Sequence, residues 1–379
     1  GTWSGGSGTF TPDADDLNAV YTPSAGEITA GSVTLILTST GNGTCLPVTD
    51  NVTYTFSPAP TADAGVDQVA CANNADISLS GAVTVATGGT WSGGTGTFTP
   101  NANTLNATYT PSSAEITAGT VTLTLTTTGN GDCNPVSDDI VINFTPAPTA
   151  SAGSDQTVCA NNALVSLNGS VTIATGGTWS GGGGVFSDAN ILNPTYTPSA
   201  AEIVAGTVTL TLTTTGNGDC NAVSDDLVIT ITPAPVVDAG TADVLCANNA
   251  DISLAGSVTG ATGGTWSGGS GTFTPDADDL NAVYTPSAGE ITAGSVTLIL
   301  TSTGNGNCLP VTDNVTYTFS PAPTADAGVD QVACANNADI TLAGAVTVAT
   351  GGAWSGGTGT FRPKANTLNA TYTPSAAEI

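Results

Sequence analysis

Residues 120–128 read Thr-Val-Thr-Leu-Thr-Leu-Thr-Thr-Thr, and Gly-Asn-Gly follows at 129–131. The alternation of threonine with Val121, Leu123 and Leu125 is typical of a β-strand that buries one face. The glycines and asparagine that follow favour a tight turn into a further strand. This stretch therefore predicts antiparallel β-structure.

Similar phrases return at regular intervals along all 379 residues. Five tryptophans lie 87 or 88 residues apart, each in the phrase Gly-Thr-Trp-Ser-Gly-Gly, with Ala353 in place of threonine in the last copy. They are Trp3, Trp91, Trp179, Trp266 and Trp354. On a longer period, residues 1–116 match residues 264–379 at 109 of 116 positions. Such self-similarity predicts a tandem array of small domains.

The tripeptide Pro-Ala-Pro separates the copies. It stands at 58–60, 146–148, 233–235 and 321–323. Proline pairs make short, stiff connectors, so we place the boundaries there. We predict the C-terminal part of a repeat at 1–57, whole repeats at 61–145, 149–232 and 236–320 (the first, second and third repeat below), and the N-terminal part of a repeat at 324–379. We expect the sequence to be a window of a much longer array, which would also explain why no signal peptide is visible.

Each whole repeat has room for about seven short strands. In the first repeat we predict them at Val66–Ala70, Ile77–Val85, Gly89–Ser92, Gly96–Thr99, Asn106–Thr110, Thr120–Thr128 and Ile140–Phe144. Seven short strands in about 85 residues fit an immunoglobulin-like sandwich. The predicted fold class is all-β, with tandem immunoglobulin-like domains in a rod-like array.

Charge and composition exclude many functions. The chain has 30 acidic residues, 2 basic residues and no histidine, for a formal charge of −28. A nucleic-acid binder needs lysine and arginine against phosphate, and a Ser–His or Cys–His nucleophile pair needs histidine. No stretch is long and apolar enough for a membrane helix. We therefore expect no nucleic-acid partner, no membrane insertion and no enzymatic activity.

Two recurrent residue types have structural interpretations. Glutamate occurs only at positions 27, 115, 202, 290 and 378, always in Ser-x-x-Glu-Ile, which is the pattern of a capping box on a helical turn. We prefer this interpretation to a catalytic carboxylate because no partner acid recurs beside it. The tryptophans are expected to fill the sandwich core, the alternative being platforms on which sugars stack.

Calcium is the one cofactor that the sequence leaves open. The acidic turns Asp13, Asp15, Asp16 and Asp276, Asp278, Asp279 are candidate ligand sets, although no Asp-x-Asp-x-Asp-Gly loop exists and a solvated turn is the preferred interpretation. Asp63 and Asp67, with Asp138 and Asp139, are a second possible set at domain junctions. Otherwise we expect no cofactor and no catalytic residue.

The eight cysteines occupy two places in the repeat, one in Ala-Cys-Ala-Asn-Asn and one before the last strand. No Cys-x-x-Cys is present, so a disulfide framework in an oxidising compartment is expected. We expect pairing within each repeat, as Cys71/Cys133, Cys159/Cys220 and Cys246/Cys308, because each whole repeat carries both cysteines. If the two positions lie at opposite ends of the sandwich, the alternative is Cys71–Cys220 and Cys159–Cys308 across junctions.

Three phrases of the repeat resemble those of a known family. Pro-Thr-Ala-Asp-Ala-Gly-Val-Asp-Gln at 60–68, Gly-Thr-Trp-Ser-Gly-Gly, and Tyr-Thr-Pro-Ser-Ala-x-Glu-Ile are similar to the PKD-like/immunoglobulin-like repeats of giant secreted proteins of Bacteroidota. The resemblance implies surface adhesins or filaments exported by type IX secretion, of the gliding-adhesin or predatory-filament type. Residues 236–243 depart from it, because Val-Val-Asp-Ala-Gly-Thr-Ala-Asp loses the Gly-x-Asp-Gln spacing.

The sequence thus leads to a functional hypothesis with one rival. We expect the structural shaft of an extracellular, cell-surface filament or adhesin, serving attachment, gliding or prey capture. Its partners would be neighbouring copies of the chain in a bundle, or a cell-surface or glycan receptor at a separate tip. The rival is an array of carbohydrate-binding modules, which predicts exposed indoles.

Overall fold

The computed structural model describes all residues 1–379 as strands, turns and four short helices. The first 57 residues contain β1 (Thr2–Ser4), β2 (Thr9–Thr11), β3 (Val20–Thr22), α1 (Ala25–Ala30), β4 (Ser32–Thr38) and β5 (Thr49–Thr55). The last 56 contain β33 (Thr324–Asp326), β34 (Ile340–Thr341), β35 (Ala345–Thr347), β36 (Thr360–Arg362) and β37 (Thr371–Thr373).

The three whole repeats share one order of elements. The first has β6 (Thr61–Asp63), β7 (Gln68–Cys71), β8 (Ile77–Ser78), β9 (Ala82–Thr84), β10 (Gly88–Ser92), β11 (Thr97–Thr99), β12 (Thr108–Thr110), α2 (Ser113–Ala118), β13 (Thr120–Thr128) and β14 (Ser137–Thr145). The second has β15 (Thr149–Ser151), β16 (Gln156–Cys159), β17 (Val165–Ser166), β18 (Ser170–Thr172), β19 (Gly176–Gly181), β20 (Val185–Phe186), β21 (Thr195–Thr197), α3 (Ala200–Ala205), β22 (Thr207–Thr215) and β23 (Ser224–Thr232). The third has β24 (Val236–Asp238), β25 (Val244–Cys246), β26 (Ile252–Ser253), β27 (Ser257–Thr259), β28 (Gly263–Ser267), β29 (Thr272–Thr274), β30 (Val283–Thr285), α4 (Ala288–Ala293), β31 (Ser295–Thr303) and β32 (Thr312–Ser320).

The all-β fold class is confirmed. In the first repeat a four-stranded sheet, in the order β10-β13-β14-β7, faces the three-stranded sheet β11-β12-β8, and β6 pairs with β9. Every pairing in this repeat is antiparallel except that of β7 with β14, which is parallel. The second and third repeats have the same topology.

The strands form where the alternation predicts them, with two differences. The first repeat has nine strands rather than seven, because β6 precedes the predicted set and the stretch predicted at Ile77–Val85 divides into β8 and β9. Gly81 lies in the gap, where an added Cβ would meet Leu125 and Trp91 at 2.8 Å. The chain changes partner at this point, because β8 pairs with β12 and β9 pairs with β6.

Each whole repeat has its own hydrophobic core between the sheets. The core of the first repeat gathers twelve buried residues, including Trp91, Tyr109, Leu123 and Leu125. Trp91 lies opposite Leu125 in the β10–β13 register, so the alternating face of β13 packs against the indole. Comparable clusters surround Trp179 and Trp266. The cores lie inside the predicted boundaries 61–145, 149–232 and 236–320, which stay predictions.

Candidate functional site

The residues that join consecutive repeats form the most distinctive site of the chain. Two disulfides connect neighbouring repeats, Cys71–Cys220 and Cys159–Cys308, and each spans 149 residues of sequence. Their Cα–Cα distances are 5.0 and 4.9 Å, within the ordinary range for a disulfide. The expected pairing within each repeat is therefore wrong, and the alternative across the junctions is the one the structure shows.

The parallel pairing of β7 with β14 explains this result. Cys71 lies opposite Thr145, so it sits where the last strand leaves the repeat. Cys133 precedes the other end of that strand, because β14 begins at Ser137. Nine residues of strand span about 30 Å, whereas a disulfide needs Cα atoms about 4–7 Å apart. Cys71 and Cys133 therefore lie at opposite ends of the sandwich and cannot meet.

The linker carbonyl lies against both sulfurs at each junction. The carbonyl oxygen of Pro146 is 4.0 Å from the Cys71 sulfur and 3.8 Å from the Cys220 sulfur. The carbonyl oxygen of Pro233 is 3.8 Å from Cys159 and 3.7 Å from Cys308. The Pro-Ala-Pro linker and the disulfide thus run side by side from one repeat to the next.

Asparagines of the Cys-Ala-Asn-Asn segment add polar contacts to the first junction. Asn73 donates through Nδ2 to the carbonyl of Asn221 at 3.0 Å and accepts at Oδ1 from the Asn221 amide at 3.0 Å. The Asn221 side chain donates to the carbonyl of Asn73 at 2.8 Å, and Asn74 donates to the carbonyl of Asp219 at 3.1 Å. These bonds hold the turn of the second repeat against the end of the first.

The second junction repeats this arrangement with a different residue in the turn. Asn161 occupies the place of Asn73, donating to the carbonyl of Leu309 at 3.0 Å and accepting from its amide at 3.1 Å. Asn307 donates to the carbonyl of Thr157 at 3.1 Å. Because the contacts with Leu309 use its backbone, leucine can replace the asparagine at this position without loss of the paired bonds.

Four cysteines are unpaired in the structure. Cys133 and Cys246, both in the predicted disulfide set, are free and partly exposed, and Cys45 and Cys334 are free and exposed. Cys133 lies 3.7 Å from the carbonyl oxygen of Pro58, and Cys246 lies 4.0 Å from that of Pro321. Each therefore has the linker contact of a bridged cysteine without its partner.

The recurrent glutamates cap short helices, as the sequence predicts. In the first repeat Ser112 caps α2, with its amide and hydroxyl donating to Glu115 Oε2 at 2.8 and 2.9 Å. Glu115 Oε1 accepts from the Tyr109 hydroxyl at 2.8 Å and from the Thr95 amide at 2.6 Å. The same arrangement forms at Glu27, Glu202 and Glu290, and Glu378 makes the matching bond with Tyr372 at a turn rather than a helix. These carboxylates are therefore engaged as hydrogen-bond acceptors within the caps.

The electrostatics of this cap follow from its hydrogen bonds. Burial acts to raise the pKa of Glu115, but the donors from Ser112, Thr95 and Tyr109 outweigh it and leave the pKa below its ordinary value. The same balance lowers the pKa of Glu27 to about 2. Burial and the carboxylate neighbour raise the pKa of Tyr109 to about 12. The carboxylate is thus held ionised and the phenol neutral.

The glycines after the tryptophan make room for the cap. Gly93 and Gly94 have φ of +86° and +69°, a region that favours glycine. A Cβ on Gly94 would collide with the Tyr109 hydroxyl and lie 2.7 Å from Glu115 Oε1. The Trp-Ser-Gly-Gly phrase therefore turns the chain and admits the tyrosine–glutamate pair.

Three of the five indoles are buried. Trp91, Trp179 and Trp266 are each 2% exposed, and Trp91 donates through Nε1 to the carbonyl of Leu105 at 3.1 Å. Trp3 and Trp354 are partly exposed. The whole repeats therefore use tryptophan as core, and they present no indole face on which a sugar could stack.

The acidic turns do not converge on a common point. The structure contains no group of three or more acidic or cysteine side chains arranged to share a metal ion. Asp13 Oδ1 accepts from the Asp15 amide at 2.9 Å, and Asp16 Oδ1 accepts from the Asn18 amide at 2.8 Å. Asp276 and Asp279 make the same bonds to Asp278 and Asn281. Calcium binding at these turns stays a prediction from the sequence.

The aspartates near the linkers connect the start of the repeat to its last strand in the first and second repeats. Asp138 Oδ2 accepts from the Ala64 amide at 2.8 Å, and Asp67 Oδ1 accepts from the Val141 amide at 2.8 Å. In the second repeat Asp225 and Asp155 make the equivalent bonds at 2.8 and 2.9 Å. Their side chains are thus engaged within one sandwich, in structural bonds.

Comparisons with known proteins give structural likeness alone. The sequence matches no protein-family model and no curated protein. Among solved structures it is similar to protocadherin gamma B7 extracellular cadherin domains 1–4 (TM-score 0.34, 13% identity, 84% of this chain and 91% of that chain). It is also similar to the titin fragment I67–I69 (0.37, 12%, 70% and 99%) and to mouse cadherin-23 EC22–24 (0.30, 13%, 70% and 100%). The strand pairings of the whole repeats themselves define the all-β fold. None of the four helices could cross a membrane.

Proposed function

We propose that this chain is the structural, non-enzymatic repeat shaft of an extracellular bacterial surface filament or adhesin. The observation that carries the proposal is the double connection at each junction, where a proline linker and a disulfide run in parallel. A disulfide at each interface between whole repeats restricts the relative orientation of the neighbouring domains. Such an arrangement suits an extended shaft whose domains must keep a fixed order and orientation.

Compartment and charge support the same proposal. Disulfides persist in oxidising environments, which favours a location outside the cytoplasm. The charge of −28 keeps such a thread soluble and makes its segments repel one another. The resemblance of the repeat phrases to secreted Bacteroidota surface proteins supports a role in attachment, gliding or prey capture and export by type IX secretion.

Two forms of the shaft are consistent with this proposal. In the first form a single string carries an adhesive tip that binds a receptor or glycan. In the second form several chains associate sideways, which the charge opposes unless salt or calcium screens it. The buried indoles of the whole repeats disfavour the rival array of carbohydrate-binding modules.

Immunogold electron microscopy of intact cells of the source bacterium tests the proposal. Antibodies against residues 61–320 should label surface threads at regular intervals without permeabilisation, and the mass per length should separate a single string from a bundle. Labelling that appears only after permeabilisation would contradict the proposal. Quenching of tryptophan fluorescence by glycans, in the purified chain, would instead support the carbohydrate-binding rival.

A further inference from the structure

Covalent bonds cross each of the two junctions between whole repeats twice. From the first to the second repeat, the backbone passes through Pro146–Pro148 while the disulfide passes from Cys71 to Cys220. From the second to the third, the backbone passes through Pro233–Pro235 while the disulfide passes from Cys159 to Cys308. A pulling force therefore has two covalent paths at each junction.

These double connections create short routes through the array. Starting at Ala147 in one linker, twelve residues lead to Cys159, the disulfide leads to Cys308, and fourteen residues lead to Ala322. This route takes 26 residue steps, whereas the backbone between the same alanines takes 175. A matching route of 26 steps joins Ala59 to Ala234 through Cys71 and Cys220.

In the second repeat the two routes lie in neighbouring strands. One route enters along β16 and the other leaves along β23, and these strands pair in parallel from Gln156↔Ile229 to Cys159↔Thr232. The Asp155–Val228 and Asp225–Ala152 hydrogen bonds add to this connection. Residues 160–219, which include Trp179 and most of the core, lie on neither short route.

We propose that tension between linkers two repeats apart is carried by these short routes, so that whole repeats are bypassed and each two-repeat span is nearly inextensible. At about 3.6 Å per residue, 26 steps reach about 94 Å, and the disulfide adds about 5 Å. Two folded repeats of about 40 Å each already extend about 80 Å, judged from nine-residue strands and their turns. The covalent route is therefore only slightly longer than the two folded repeats, so they can extend very little. This inference goes beyond the proposed function, because it depends on the covalent connections and not on where the protein works.

Single-molecule stretching of the full chain tests this inference. Handles are attached through azide-bearing amino acids at positions 147 and 322, and the free thiols are blocked beforehand. We expect a contour length of about 100 Å between the handles at any force below bond rupture, and about 630 Å after reduction with a phosphine. Pairing within each repeat would give 52 steps and two disulfides, or about 200 Å. A value near 200 or 630 Å in the oxidised protein would overturn the inference.

Two double variants sharpen the test. Cys159→Ser with Cys308→Ser should lengthen the oxidised protein to about 630 Å, because no short route then joins these handles. Cys71→Ser with Cys220→Ser is the matched control and should leave the length near 100 Å, because that disulfide lies on the other route. Once the remaining disulfide has formed, the contour length at full extension depends only on covalent connections and not on the stability of the fold. Equal lengths for the two variants would contradict the inference.

Discussion

The interior of a repeat and the junction between repeats are stabilised by different interactions. The interior is a dry core in which Trp179, Leu210 and Leu212 lose nearly all contact with water. The junction relies instead on one disulfide and a few polar asparagine contacts. The comparison indicates that burial of apolar side chains stabilises each sandwich and that the disulfides fix how neighbouring sandwiches are connected. Changes in one region should therefore leave the other largely intact.

The largest expected effect comes from emptying the core. Trp179→Ala removes a side chain that is 2% exposed and should lower the free energy of unfolding of the second repeat by about 3–5 kcal/mol. Denaturant unfolding followed by circular dichroism measures it. Val204→Ala, at a position 88% exposed, is the control and should stay within about 0.5 kcal/mol. Similar losses for both variants would mean that the indole is not the centre of the core.

The tyrosine–glutamate cap should be the next most sensitive feature. Tyr196→Phe removes the hydroxyl that accepts from the Gly184 amide at 2.9 Å and donates to Glu202 at 2.8 Å. Leaving these groups without a partner should cost about 1–3 kcal/mol in denaturant unfolding. Tyr54→Phe is the matched control, because Tyr54 is 51% exposed and its hydroxyl makes no hydrogen bond. An equal cost at both positions would contradict the role of the cap.

Acid should weaken the interior through the same cap. Burial opposes ionisation of Glu202, but hydrogen bonds from Ser199, Gly183 and Tyr196 lower its pKa below the ordinary value of 4.5. The folded state therefore releases this proton more readily than the unfolded state, and the resulting stability is present above pH 4.5 and is lost as the pH falls below it. Glu202→Gln should reduce the difference between the melting temperatures measured at pH 6 and at pH 3. An unchanged pH profile would show that Glu202 is not the group responsible.

The smallest expected effect lies at the junction. Asn73→Ala removes the two hydrogen bonds that the Asn73 side chain makes with the backbone of Asn221, yet neither of them lies inside a core. We expect the unfolding free energy of each repeat to change by less than about 0.5 kcal/mol. The distribution of distances between spin labels on the two repeats should broaden. Asn336→Ala, at the matched position in 324–379, makes no such contact and should change neither quantity.

The interior of each repeat could be predicted from the sequence because the motifs that form it are each only a few residues long. The alternation at Thr120–Thr128, the tryptophan phrase and the Ser-x-x-Glu box each act within a few residues, and all three form as expected. The three-residue strand β6 was missed because so short a segment has no periodicity to detect. The division near Gly81 follows from the different partners of β8 and β9, which are distant in sequence and leave no local pattern.

The junction could not be predicted in the same way. The order of cysteines along the chain is the same for pairing within a repeat and across a junction. The choice depends on the end of the sandwich at which Cys71 lies, and the parallel pairing of β7 with β14 decides it. A parallel pair of strands far apart in sequence has no local signature, so the asparagine contacts that accompany the disulfide were missed as well.

Mapping of the disulfides tests the central claim most directly. The protein is alkylated, denatured without reductant and cut after glutamate, which yields peptides 1–27, 28–115, 116–202, 203–290 and 291–378. Each of the last four carries two cysteines. Bridges across the junctions predict two separate linked pairs, 28–115 with 203–290 and 116–202 with 291–378. A single species that joins all four peptides would show pairing within each repeat and would contradict the account.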